Sequence, residues 1–114
     1  MRLVEVRVRE AALQPDSVLG VHLMKKAFGE RGRLRTTFLE AAEAEARMAL
    51  FWGAIGVYKN PTSHRLASVQ DPQAAFEAIM LANTLLRITE DVLGEVDGLE
   101  DWDQAVARAY PDES

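Results

Sequence analysis

Residues 48 to 65 read MALFWGAIGVYKNPTSHR, and the fold turns on how the first eleven of them are taken. From Met48 to Tyr58 there is no charged side chain and no alternation of polar with apolar residues. The stretch therefore reads as a helix that is apolar around its whole circumference. Such a helix needs cover on all sides, from neighbours in a bundle or from a second subunit. Gly53 and Gly56 lie near one another on that surface. A glycine inside a helix costs about 1 kcal/mol relative to alanine, so two of them point to close approach of another helix, as core packing or as a dimer face. Pro61 disfavours the helical conformation at Asn60, which ends the helix at about Lys59 or Asn60.

Upstream, FLEAAEAEAR (residues 38–47) continues the same helix with strong helix formers, and Thr36 or Thr37 can cap it after a loop through Glu30 to Arg35. A second helix is predicted from about Val18 to Phe28, with a stripe of Val18, Val21, Leu23, Met24 and Phe28. Asp16 or Ser17 would cap it and Gly29 would stop it. Residues 3 to 9, LVEVRVR, alternate as a strand would, but no partner strand follows, and the segment through residue 13 is read as a helix. Downstream, Asp71 with Pro72 at the first position opens a helix whose stripe is Leu81, Leu85, Ile88 and Val92, and Gly94 would end it. A short helix through Trp102, Ala105, Val106 and Ala109 follows, and residues 111–114 should fray. The expectation is an all-α, compact bundle of four to five helices, a single domain over residues 1–110.

Composition narrows the chemistry. The chain of 114 residues is long enough for one core, and its lack of cysteine excludes disulfides, thiol catalysis and thiolate zinc sites. Two histidines leave little for a metal centre, so no metal and no cofactor are expected. No apolar run approaches the roughly 20 residues of a membrane span, and the first residues lack the apolar core of a signal peptide. A cytoplasmic protein without membrane contact is expected. Through residue 65 the chain has eleven Lys and Arg against seven Asp and Glu; beyond it, two against eleven. A polyanion would be drawn to Lys25, Lys26, Arg31, Arg33 and Arg35, unless these are an ordinary solvated helix end and loop. The acidic C-terminal third is by default solvated, but could hold a cation loosely or cover the basic surface.

Chemistry concentrates in YKNPTSHR, Tyr58 to Arg65. A histidine near its ordinary pKa of about 6.5 can move a proton at neutral pH, a lysine or arginine can neutralise charge on a phosphorane, and an asparagine can orient either. Lys59, Asn60, His64 and Arg65 thus suffice for metal-independent RNA cleavage. They also make an ordinary helix terminus, in which the lysine complements the dipole, the asparagine caps and the proline stops. Tyr58 and Trp52 could stack on bases. Trp52 reads as core and Tyr58 stays open. His22, one turn before Lys25 and Lys26, reads as boundary packing, and Arg47 lies too far along its helix to join Lys59.

The succession GVHLMKKAFG (20–29), LFWGAIGVYKNPTSHR (50–65) and DPQAAFEAIMLANTLLRI (71–88) resembles the Ymh-type family of prokaryotic hypothetical proteins, over most of residues 5 to 92. That family occurs near phage, plasmid and restriction loci. Its Arg/Lys-Asn-Pro-x-x-His segment is similar to the signature of HEPN domains, helical bundles that are often dimeric and in many cases metal-independent ribonucleases of toxin and antiviral systems. The resemblance implies a homodimer acting on RNA, with Lys59 in the arginine position, Asn60 in the polar position and His64 as the histidine. Arg65, Tyr58, Lys25 and Lys26 would bind substrate, and a cognate antitoxin or defence protein would be a partner. Relatives also carry an N-terminal extension, so this chain would open within the latter part of their first helix. Lysine departs from the motif, because it is a point charge where arginine offers a planar fork. A module that binds RNA, a nucleotide or a protein without turnover is the competing expectation.

Overall fold

In the computed structural model, residues 1–35, 40–59 and 71–110 are described. They form four helices: α1 (Arg2–Ala11), α2 (Gly20–Phe28), α3 (Ala41–Lys59) and α4 (Pro72–Ala109). The all-α expectation holds, and the alternating segment near the N-terminus is helical. The reason is a stripe: Val4, Val8 and Ala11, at helical spacing, are buried together, whereas a strand would have aligned Val4, Val6 and Val8. The Thr36 or Thr37 cap, the turn at Pro61 and the tail 111–114 lie outside the described residues.

α3 packs antiparallel on α2. Phe28 and Phe51 meet with ring centroids 4.3 Å apart, and a Cβ on Gly56 would sit 3.4 Å from Val21. Gly56 therefore does allow a close helix approach. Gly53 faces open space. Burial on α3 is one-sided: Phe51 and Ile55 are fully buried and Ala54 nearly so, but Leu50, Trp52 and Val57 are exposed, as are Ala46 and Ala49. Trp52, expected in the core, lies at its edge at 38% exposure, with Lys25 Nζ 5.3 Å from its ring centroid. Its amphipathic ring tolerates that place because the cation covers one face. The turn after α2 closes by Leu34 N–H donating to the Ala27 carbonyl at 2.9 Å, which buries Leu34. A Cβ at Gly32 would fall 2.2 Å from that carbonyl oxygen, so only glycine fits there.

Two helix starts differ in kind. Asp71 caps α4, accepting from Gln73 N–H at 3.1 Å and Ala74 N–H at 3.2 Å, with Pro72 at the first position as expected. α2 begins at Gly20, later than Val18, and neither Asp16 nor Ser17 caps it. Its first N–H donates instead to Glu5 Oε1 of α1 at 2.7 Å. Gly20 has φ +58°, a left-handed conformation open to glycine.

α4 is one helix of 38 residues where two shorter ones were expected. Gly94 does not end it. The buried stripe Leu85, Thr89, Val92 and Val96 continues through Gly94 on helical spacing. The following turn is held from outside: Arg33 donates to the Ala11 carbonyl (2.6 Å), to Asp97 (3.3 Å) and to Glu100 (3.0 Å). Anchored on both sides, the chain carries the cost of Gly94 and Gly98 without breaking. Thr89 is satisfied by the Leu85 carbonyl at 2.8 Å. α4 lies along α1 in the same direction and is about 57 Å long, close to the 63 Å long axis of the molecule. Residues 101–110 are all exposed.

At the α1–α4 contact, Arg7 donates to both carboxylate oxygens of Glu90, the second at 3.0 Å. That hydrogen bond, opposed by desolvation, holds the Glu90 carboxyl below its ordinary value, and its counterpart holds Arg7 above the usual guanidinium value. A carboxyl depressed in the folded state contributes stability above its unfolded pKa and loses it as pH falls through the folded value. Glu90→Gln is therefore expected to flatten the acid limb of the stability curve, seen in denaturant midpoints between about pH 7 and about pH 3, with the neutral limb reduced and the most acidic points unchanged.

α1 ends in an unusual cap. Gln14 N–H bonds the Arg9 carbonyl (3.1 Å) and Leu13 N–H the Glu10 carbonyl (3.2 Å), the two closures of a Schellman motif. The left-handed position is occupied by Leu13, at φ 56°, where glycine is usual, and its side chain is 73% exposed.

Candidate functional site

The last turn of α3 delivers Tyr58 to a groove of about 530 Å³. Among the described residues Met1, then Arg2, Glu5, Val6 and Arg9 of α1, and Leu19 before α2 also line it. This follows from the antiparallel α2–α3 pair: the start of α2, tied to Glu5, sits beside the end of α3. Glu5, 3% exposed, organises the wall. It accepts from Gly20 N–H and pairs with Arg9 Nη2 at 3.6 Å, while Arg9 Nε donates to the Val18 carbonyl at 3.2 Å. Arg9 is thereby fixed and partly neutralised. Arg2, at the rim, is exposed. A groove that presents a phenol and two guanidinium groups at the C-terminal end of an apolar helix can hold a phosphate ester and stack a ring.

The predicted site residues are distributed as follows. Tyr58 is half-buried in the groove, and Lys59 is the last residue of α3. Asn60, His64 and Arg65 lie outside the described residues. Lys25 and Lys26 line a different groove, of about 260 Å³, with Gln14, Gly29, Glu30, Arg31 and Gly32. They point outward from the far half of α2: Lys25 stands opposite Trp52, about 9 Å along α3 from Tyr58. Sequence reasoning passed over Arg2, Glu5 and Arg9. Their signal was present, because residues 2, 5, 6 and 9 share one face of a helix and Glu5 to Arg9 is an i, i+4 ion pair. It was masked by the alternating pattern of the same segment.

Among the described residues no cluster of His, Asp and Glu could hold a metal ion, and no helix is long and apolar enough to cross a membrane. No curated protein and no solved structure matches the chain. A family model described as a protein of unknown function (Hypoth_ymh) matches residues 1–89, which takes in α1, α2, α3, the Tyr58 groove and the first half of α4. The chain belongs to this Hypoth_ymh family.

Proposed function

We propose that the exit of α3 is an RNA-handling site of HEPN-like character, in which Lys59, Asn60 and His64, aided by Arg65, cleave RNA without a metal ion. The observation that supports this reading is that the Lys-Asn-Pro-x-x-His motif follows Tyr58 directly in the sequence, and Tyr58 lines a groove together with Arg2 and Arg9. In the reaction the ribose 2′-oxygen attacks the adjacent phosphorus and the bond to the 5′-oxygen breaks, leaving a cyclic phosphate and a 5′-hydroxyl. His64 takes or returns the proton, and the cations bear the added charge of the phosphorane. No nucleophile from the protein is required.

The uncharged outer face of α3 supports a homodimer as the working unit. Ala46, Ala49, Leu50 and Val57 are exposed on it, and Gly53 leaves room for a second helix. Val57 directly precedes Tyr58, so two copies joined there would bring their sites near one another. A cognate antitoxin or defence protein would act on the same surface.

Incubating the protein with RNA in EDTA beside His64→Ala tests the reading. Cleavage by the parent chain should fall at least about a hundredfold in the variant, within the range for loss of a general acid or base, and equal products from both would sink it. One feature favours a binding module instead: Lys59 stands where an arginine fork would grip the phosphate. Binding without turnover, weakened alike by Lys59→Ala and His64→Ala, would select that second reading.

A further inference from the structure

The C-terminal arm of α4 is an amphipathic helix that packs on none of the other described helices. From residue 101 to residue 110 every residue is exposed. Trp102 (67% exposed), Val106 (39%) and Tyr110 (61%) nevertheless recur at helical spacing and make an apolar stripe. Glu100, Asp101 and Asp103 flank its base, and neither Asp101 nor Asp103 has an ion-pair partner among the described residues. The arm cannot fold back. α4 runs unbroken to Ala109, and the Arg33 clamp on Asp97 and Glu100 fixes its direction where it leaves the body, so it extends about 15 Å into solvent.

At the corner where α1 turns towards α2 and α2 ends, the complementary surface is exposed. Lys25, Lys26 and Arg31 ring the smaller groove; among the described residues Glu30 is the one acidic group on its wall, and neither Lys26 nor Arg31 has an ion-pair partner. Leu13 adjoins the groove through Gln14. A leucine held left-handed and exposed costs stability that glycine would spare, and such strain is retained where the side chain has another use. The corner is thus basic with an apolar anchor, and the arm is acidic with an apolar stripe.

We propose that the α4 arm of one copy of this chain docks in trans on the basic corner of a second copy, Trp102 and Val106 covering Leu13 while Asp101 and Asp103 face Lys25, Lys26 and Arg31. Charge complementarity selects the occupant: the chain holds opposite charges on two exposed surfaces, and among the described residues no ion pair joins Asp101 or Asp103 to Lys25, Lys26 or Arg31. The contact is separate from the Tyr58 groove and does not depend on RNA cleavage.

Sedimentation velocity on the full chain, at low and high salt, tests it with a charge swap. The parent chain should self-associate, with affinity falling at least about tenfold as salt screens the pairs. Asp101→Lys with Asp103→Lys should lower the assembled mass, and so should Lys25→Glu with Lys26→Glu. All four positions are exposed, so circular dichroism should show an unchanged fold. Mixing the two variants pairs a basic arm with an acidic corner and an acidic arm with a basic corner, and should restore assembly. Leu13→Gly should weaken association while raising the melting temperature of the isolated chain. A monomer at every salt concentration overturns the proposal, as does self-association that both reversals leave intact or that mixing fails to restore.

Discussion

Phe51→Ala is expected to destabilise the domain by about 3–5 kcal/mol, the usual cost of emptying a buried aromatic site. Phe51 is fully buried, stacked at 4.3 Å on Phe28, and is the largest side chain that α3 contributes to the core. Its neighbours cannot close the void readily. Ile55 follows one turn later on the same face, and Leu34 is pinned by the hydrogen bond to Ala27. Leu50, the preceding residue, is 44% exposed on a different face of the helix, and Leu50→Ala should cost no more than about 1 kcal/mol. Urea denaturation of both variants checks the pair. Equal costs would mean that the inward face of α3 is misassigned, because adjacent residues on a helix point about 100° apart.

The second large effect concerns Glu5. Its carboxylate, 3% exposed, accepts the first N–H of α2 and meets Arg9, so Glu5→Ala strips a helix start of its acceptor and a half-buried guanidinium of its counter-charge. Breaking a buried pair from one side costs roughly 3 kcal/mol or more, since the remaining groups stay desolvated. Glu5→Gln keeps an oxygen for Gly20 N–H and loses the charge alone, so it should cost clearly less. A denaturation series of parent, Gln and Ala variants reads the order. If Gln is as damaging as Ala, the ion pair dominates; if Ala costs under about 1 kcal/mol, the carboxylate is not a cap at all. The same substitution unties Arg9 in the groove beside Tyr58, so a change in ligand binding should accompany the change in stability.

What was legible from the residues was local. Asp71-Pro72 opens a helix wherever it is placed, because an acceptor and a residue without an N–H meet the needs of the first turn. Gly29 closes α2 and the stripe of α1 is a helix stripe, as the residues suggested. The errors share a cause, which is tertiary contact. Gly94 carries a stop signal in isolation, but the clamp from Arg33, 61 residues earlier, holds the next turn in place. Asp16 and Ser17 are ordinary caps, yet a carboxylate from another helix supplies the one that α2 uses. Trp52 sits in an apolar run, but a helix packed on one face leaves its far side open until something covers it. The Tyr58 groove was half visible: its α3 residue stood out by motif, while Arg2, Glu5 and Arg9 became neighbours of Tyr58 only through the fold.

The continuity of α4 carries a further consequence. Its backbone is uniform in geometry, but the protection of its amides cannot be. From Leu81 to Val96 opening the helix means prising apart the core, so exchange with solvent deuterium there should approach the rate set by global unfolding. From residue 101 to residue 110 nothing has to separate first, and those amides should exchange as a fraying peptide does. The border between the two regimes falls at the Arg33 clamp. A partner that seizes the far end would extend the slow regime outward along a rod already built, without any change of shape.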